Sequence, residues 1–173
     1  MEIRHLEPRD EDALRRFFGR IREGDRTFFK EDVEDPAVVA RWTTPGAARS
    51  IAVDGDAVVG SVAVVRLHGW SSHVGEVRVI VDPDRRGRGI GRALAQAAIL
   101  DALELGLKKL VVEVVAEEDS TIAMFRSLGF DPEALLSDHV CDHAGELRDL
   151  IILAHAVDDS FHAMLATGLA DTV

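Results

Sequence analysis

The sequence predicts an α/β fold in a single domain, on three observations. Runs of β-branched residues alternate with segments of helical period along its 173 residues. Two strand-like runs are joined by Asp54-Gly55, a hairpin signal that makes part of the sheet antiparallel. A further strand ends at Asp82-Pro83 and gives way, through a loop of arginines and glycines, to an apolar helical pattern near Ile90. The length suits one domain whose core needs neither disulfides nor metals.

Residues 3–6 read as a short first strand. Pro8 and Asp10 mark a helix start, with Asp10 as the cap and Glu11 and Asp12 suited to the helix dipole. Leu14, Phe17, Phe18 and Ile21 recur at i, i+3, i+4 and i+7, an amphipathic helix. Residues 24–35 are polar and acidic apart from Phe28, Phe29 and Val33. A short helix from Pro36 then takes in Val38, Val39 and Trp42. Strands follow at 51–53 and 57–67, a turn around Gly69, and a strand over 74–81. The helix over 89–105 is apolar nearly all round, interrupted by Arg92, Gln96, Asp101 and Glu104, which predicts burial against a sheet. Gly106 ends it as a C′ residue. Residues 110–115 form a β-branched strand broken only by Glu113. Ile122, Phe125 and Leu128 line one face of a further helix, stopped by Gly129. Strands near 135–140 and 147–155 flank a turn at Asp142 to Gly145, and a short helix is expected from Asp158. The sum is a central mixed, mostly antiparallel sheet of about six to seven strands flanked by helices.

Composition narrows the function. With 47% apolar and 29% charged residues the chain is globular rather than disordered. The single cysteine, Cys141, rules out a disulfide framework and reads as a small, partly buried apolar residue. A net charge of −11 argues against nucleic acid as a partner. It suits a cationic acceptor such as an amine through steering, and it serves solubility equally well. No apolar signal region follows Met1, and the longest apolar stretch, 150–157, is far shorter than a membrane span. A cytoplasmic protein without a membrane partner is the expectation. His139, His143 and His155 lack ligand spacing, so no metal is expected.

The chemistry concentrates between Asp82 and Arg92. A glycine-rich turn at a helix start presents N–H groups without intrahelical partners, at the end of the dipole that favours negative charge. Glycine lets the backbone approach a phosphate closely. Arg86, Arg88 and Arg92 add charge in a fork that matches phosphate oxygens. The loop therefore reads as a pyrophosphate cradle. No lysine follows the glycines, as a Walker loop requires, and the third glycine of a dinucleotide fingerprint falls on Arg92. What is present is Arg86-x-x-Gly89-x-Gly91.

That pattern resembles the coenzyme A signature of the GNAT superfamily of acyl-CoA-dependent N-acyltransferases, Arg/Gln-x-x-Gly-x-Gly/Ala. The stretch 74–94 and the run Met124-Phe-Arg-Ser-Leu-Gly-Phe130 are similar to the family as well. The resemblance covers roughly residues 1–157 and leaves 158–173 as a C-terminal helical tail. It implies a GNAT-like fold whose cradle strand and next strand splay apart, with the acyl thioester in the gap. It implies acetyl-CoA as cosubstrate, its pyrophosphate held by Arg86, Gly87, Arg88, Gly89, Ile90, Gly91 and Arg92. Backbone groups of Val79, Ile80 and Val81 would pair with the pantetheine arm, and the Val79 N–H would polarise the thioester carbonyl. Family members are often dimers, so a homodimer is possible. They also commonly carry a tyrosine that protonates the leaving thiolate. That position falls on Phe125, and the chain has no tyrosine. Ser120, Cys141 or water remain as substitutes.

An alkyl amine titrates near ~10, so an enzyme acting on one must remove its proton. Glu76 is the first candidate base, four residues before Ile80, where many family members carry one. Desolvation among β-branched neighbours is expected to raise its pKa. The competing reading is a carboxylate paired with Arg78 or a cross-strand arginine. His73 is the second candidate, since histidine needs no tuning, and Glu113 the third. By the same resemblance, residues 24–42 wall the acceptor site. Glu31, Asp32, Glu34 and Asp35 there would attract a cation or form a solvated face, while Phe28, Phe29, Trp42 and Trp70 read as core or lid. The expected function is acetyl transfer from acetyl-CoA directly to an amine, either a small molecule or a protein lysine. A non-catalytic acyl-CoA-binding regulatory module and a general phosphate-binding protein are the alternatives.

Overall fold

The β-branched runs form seven strands: β1 (Glu2–His5), β2 (Arg49–Asp54), β3 (Ala57–Arg66), β4 (Val74–Val81), β5 (Lys109–Val115), β6 (Asp131–Cys141) and β7 (Leu147–Ala156). The structure, a computed structural model, describes residues 1–26, 29–43 and 48–157. Phe28 and the tail helix expected from Asp158 lie outside these residues. The strands make one sheet in the order β1-β2-β3-β4-β5-β7-β6. Every neighbouring pair is antiparallel except β4 and β5. The helices are α1 (Glu11–Arg20), α2 (Glu23–Arg26), α3 (Pro36–Trp42), α4 (Ile90–Glu104) and α5 (Asp119–Arg126). No helix among the described residues is long and apolar enough to cross a membrane.

Side chains alternate across the sheet, so each face has its own core. On one face α4 buries Leu94, Ala98 and Ala102 with Val62, Val77, Leu110 and Leu153, and Phe125 and Phe130 complete the cluster. Each fully buried Leu or Phe contributes roughly 1.5–3 kcal/mol. The approach of α4 depends on Gly60, where an added Cβ would stand 2.8 Å from Leu94 Cδ1. On the other face α1 and α3 bury Leu14, Phe17, Phe18, Val39 and Trp42 against Ile51 and Val58. Phe18 meets Phe17, Phe29 and Trp42 edge-on.

The strand that precedes the arginine–glycine loop does splay from its neighbour. β4 and β5 pair at Val74–Lys109, Gly75–Leu110 and Glu76–Val111, and the ladder stops there. Each strand stays paired on its outer side, β4 with β3 as far as Val81 and β5 with β7 as far as Val115. The result is a fork, closed at Val74 and open toward Val81.

Local differences from the sequence reading have physical causes. Asp10 precedes α1 but makes no side-chain cap; its carboxylate turns back to accept from the Glu7 N–H (2.9 Å) and from both Arg4 Nη atoms (2.6 and 2.7 Å). β6 begins at Asp131, earlier than expected, and admits Pro132 because an edge strand tolerates a missing N–H. Its register against β7 shifts twice, and Asp138 takes a positive φ of 52° within the second shift. Trp70 is 96% exposed rather than packed, and Cys141 is exposed too.

Candidate active site

The loop after β4 is built for close approach. Gly87 and Gly89 have φ of 75° and 79°, the left-handed region that disfavours any Cβ. A Cβ at either would meet nothing within 4 Å, so the space beside the backbone is open. Gly89 is the N-cap residue of α4 and no side chain caps the helix there. The Ala93 N–H bonds the Gly89 carbonyl (3.0 Å), which leaves the N–H groups of Ile90, Gly91 and Arg92 as the helix's orphan donors. Asp82 stiffens the entry by accepting from the Asp84 N–H (3.1 Å). Arg88 is exposed, and Arg86, with its side chain 53% exposed, reaches Asp25 at 3.0 Å. Backbone donors, a dipole end and cationic side chains together fit a pyrophosphate.

Register decides which backbone groups face the fork. The Asp82 N–H bonds Val59 O (3.0 Å) and the Leu67 N–H bonds Val74 O (2.9 Å). In this antiparallel ladder the even-numbered residues of β4 therefore point their backbone groups at β3. Val77, Val79 and Val81 point theirs the other way, and beyond Glu76 that side is the open fork. Of the three residues expected to pair with a pantetheine arm, Val79 and Val81 are oriented for it. Ile80 is turned to Ser61 on β3.

Side chains alternate in step. Val77, Val79 and Val81 join the α4-side core, which places Glu76, Arg78 and Ile80 on the α1–α3 face. There a chain of charges crosses the sheet. Arg49 lies 4.0 Å over the Trp42 ring and contacts Glu31 at 3.4 Å. Glu31 contacts Arg78 at 3.2 Å, and Arg78 grips Glu76 with two bonds of 3.1 Å. Lys30 Nζ then lies 2.7 Å from Glu76 and 2.8 Å from Glu113, a carboxylate on the other arm of the fork.

This network corrects the expectation for Glu76. Burial pushes its carboxyl up, but hydrogen bonds and charge from Arg78 and Lys30 outweigh burial and hold it below the ordinary range. The reading in which Glu76 pairs with Arg78 describes the geometry. Burial likewise depresses the Lys30 ammonium, and its bonds to Glu113 and Glu76 raise it further than burial lowers it. Arg49 is brought down to about 10, burial winning over Glu31.

His73 is not brought to the fork's opening. It precedes β4 at the closed end, its ring exposed and its carbonyl accepting from the Lys108 N–H (2.8 Å). Phe125 is fully buried, edge-on to Phe130 at 5.1 Å, and only packs. Among the acidic residues of the wall, Asp32 and Asp35 are spent on the turn, accepting from the N–H groups of Glu34 (2.9 Å) and Ala37 (2.8 Å). His155 stacks on Phe130 and its Nδ1 contacts Gly129 O at 2.7 Å. No metal-holding cluster occurs among the described residues. Sequence reasoning missed Lys30, although a signal existed: the chain uses arginine seventeen times and lysine three times.

Comparison with known proteins agrees with this geometry. The model of the Acetyltransferase (GNAT) family matches residues 11–130. A mycothiol acetyltransferase of Saccharomonospora viridis is 41% identical over 59 residues, 34% of this chain and 19% of that protein. The ribosomal protein bS18 alanine N-acetyltransferase of Escherichia coli is 34% identical over 76 residues, 44% of this chain and 51% of that one. The matched segments thus span about half or less of these curated relatives. The fold is similar to that of a phosphinothricin acetyltransferase of Sinorhizobium meliloti in complex with acetyl-CoA, with a TM-score of 0.75, 21% identity, and coverage of 90% of this chain and 87% of that one. A matching family model over most of the chain, a forked β4–β5 pair and an uncapped glycine turn at the head of α4 lead to one statement: the chain belongs to the GNAT family of acetyltransferases.

Proposed function

We propose that the protein is an N-acetyltransferase that moves the acetyl group of acetyl-CoA directly to a primary amine. The observation that carries this reading is the alignment of two features on β4. The Val79 N–H faces the open fork, and the same strand leads into the orphan N–H groups at the start of α4. Relatives named mycothiol acetyltransferase and ribosomal protein bS18 alanine N-acetyltransferase support the reaction class, with the acceptor left open.

Acetyl-CoA supplies an activated acyl carbon when bound. The N–H groups of Ile90, Gly91 and Arg92, with Arg86 and Arg88, hold its pyrophosphate. The Val79 N–H donates to the carbonyl oxygen, where charge grows during attack. Glu76 and Glu113, which hold the Lys30 ammonium here, accept hydrogen bonds from the acceptor's ammonium once Lys30 gives up its place at the fork. With its carboxyl held low, Glu76 is a weak base, so its part is to orient the ammonium and pass a proton to water. Phe125 offers no proton to the departing thiolate, which is protonated from solvent. That combination predicts a slow enzyme.

The test is a thermal-shift comparison of acetyl-CoA, coenzyme A, ATP and NAD, followed by thiol release with amine acceptors. Ligand at about a hundred times its Kd adds roughly 2.7 kcal/mol. Stabilisation by the two coenzyme A species alone, followed by thiol release, is expected. Stabilisation without thiol release for any amine would favour the binding-module reading that Phe125 suggests. Equal response to all four ligands would refute the coenzyme A site.

A further inference from the structure

Resting on that reading, we propose that Lys30 is itself an acyl acceptor: its Nζ is acetylated in cis by acetyl-CoA bound in the fork. Lys30 Nζ touches both arms, Glu76 on β4 at 2.7 Å and Glu113 on β5 at 2.8 Å. Glu76 belongs to the last rung of the β4–β5 ladder. Glu113 lies two residues past Val111, level along its strand with Arg78 on the other. The ammonium therefore sits across the throat of the fork, next to the stretch of β4 where the Val79 N–H faces the gap. A primary amine held at that place is what the acceptor of an N-acetyltransferase must present.

The residue type is informative. Seventeen arginines carry most of the positive charge of this chain. A guanidinium stays protonated and is a poor nucleophile, whereas the amine of lysine can lose its proton and attack. Here, at the position bridging both arms, the chain carries one of its three lysines. The other two, Lys108 and Lys109, lie at the closed end, where Lys109 pairs with Val74 and its Nζ contacts Glu133 at 2.5 Å. The Lys30 side chain is 40% exposed on a flexible four-carbon stem, so small rotations move Nζ along the gap.

The step balances without a further reactant. The Lys30 ammonium gives one proton through Glu76 or Glu113 to water, and its nitrogen bonds the acyl carbon. The carbon–sulfur bond breaks, its electron pair leaving on sulfur; the second proton lost by nitrogen passes to solvent, and solvent protonates the thiolate. The products are Nζ-acetyl-lysine, coenzyme A and one released proton. Both ion pairs vanish with the charge, which frees Glu76 and Glu113 for an external ammonium.

The full chain is incubated with acetyl-CoA carrying a labelled acetyl group, and acetylation is mapped by peptide mass spectrometry over time and over protein concentration. In parallel, thermal shift reports binding of acetyl-CoA to the chain and to Lys30→Arg. Label is expected on Lys30 at least about tenfold faster than on Lys108 or Lys109, the advantage of a held nucleophile. Its fractional rate should not change on dilution, and Lys30→Arg should keep the thermal response while losing this label. Equal labelling of the three lysines, no labelling despite a thermal response, or a rate proportional to protein concentration would overturn the proposal alone. No thermal response to acetyl-CoA would overturn the acetyltransferase reading and this proposal with it.

Discussion

Glu76 and Val111 form the last rung between β4 and β5, and the residues that matter for chemistry begin at that rung. Glu76 contributes its carboxylate on one face of the sheet. The strand beyond it contributes the Val79 N–H at the edge. A single position thus marks where sheet ends and site starts.

Replacing Glu76 by Gln removes the negative charge that pairs with two cations while nearly keeping the shape. Turnover with an amine acceptor should fall about 10²-fold or more, while the thermal shift with coenzyme A is retained. Leaving Lys30 and Arg78 with a neutral partner should lower stability by about 1–3 kcal/mol, read from denaturant unfolding. Unchanged turnover would remove Glu76 from the reaction.

The pH profile carries a sign. The folded-state pKa of Glu76 is depressed, so its contribution to stability is present above its unfolded value of about 4.3 and is lost as pH falls through the folded value. Glu76 therefore stays ionised throughout the neutral range. The rate should climb with pH toward the ~10 of the acceptor amine, measured as kcat/KM against pH. An acid limb near about pH 6.5 would instead implicate a histidine.

Two glycines of the cradle should respond oppositely to alanine. Gly89→Ala forces a Cβ into the left-handed region at φ 79°, which costs about 1–2 kcal/mol. It also disturbs the N–H groups that face the phosphate, so the Kd for coenzyme A should rise at least about tenfold. Gly91 lies inside the first turn of α4, and its Cβ would meet Met124 Sδ at an ordinary 3.4 Å. Gly91→Ala should leave coenzyme binding intact and hold or raise Tm, since alanine is favoured over glycine in a helix by up to about 1 kcal/mol.

Phe125→Tyr tests whether the missing hydroxyl limits turnover. The ring is fully buried against Phe130, so the new hydroxyl enters an apolar site and should cost about 1–3 kcal/mol. Tm should fall with no gain in kcat. A gain would mean that the ring reaches the gap when acetyl-CoA is bound.

The parts legible in the sequence are those written in neighbouring residues. Leu14, Phe17 and Phe18 announce α1 by period, Asp54-Gly55 joins β2 to β3, and Arg86-x-x-Gly89-x-Gly91 announces the cradle in six residues. What escaped depends on partners that folding brings from afar. The pKa of Glu76 reverses because Lys30 arrives from a polar segment with no pattern of its own. The turning away of Ile80 follows from its register with Ser61, and register is a property of two strands together. Asp10 looked like a helix cap because only its own helix was in view, and Arg4 claimed it from β1.

The sheet's two borders carry a consequence of another kind. One border is β1, only four residues long; the other is β6, shifted twice in register, with Pro132 near its start and Asp138 out of the extended region. A foreign strand needs a long, uninterrupted row of donors and acceptors to add itself, and among the described residues β1 is short and β6 is irregular. These interruptions work against fibril-like stacking through the borders of the sheet.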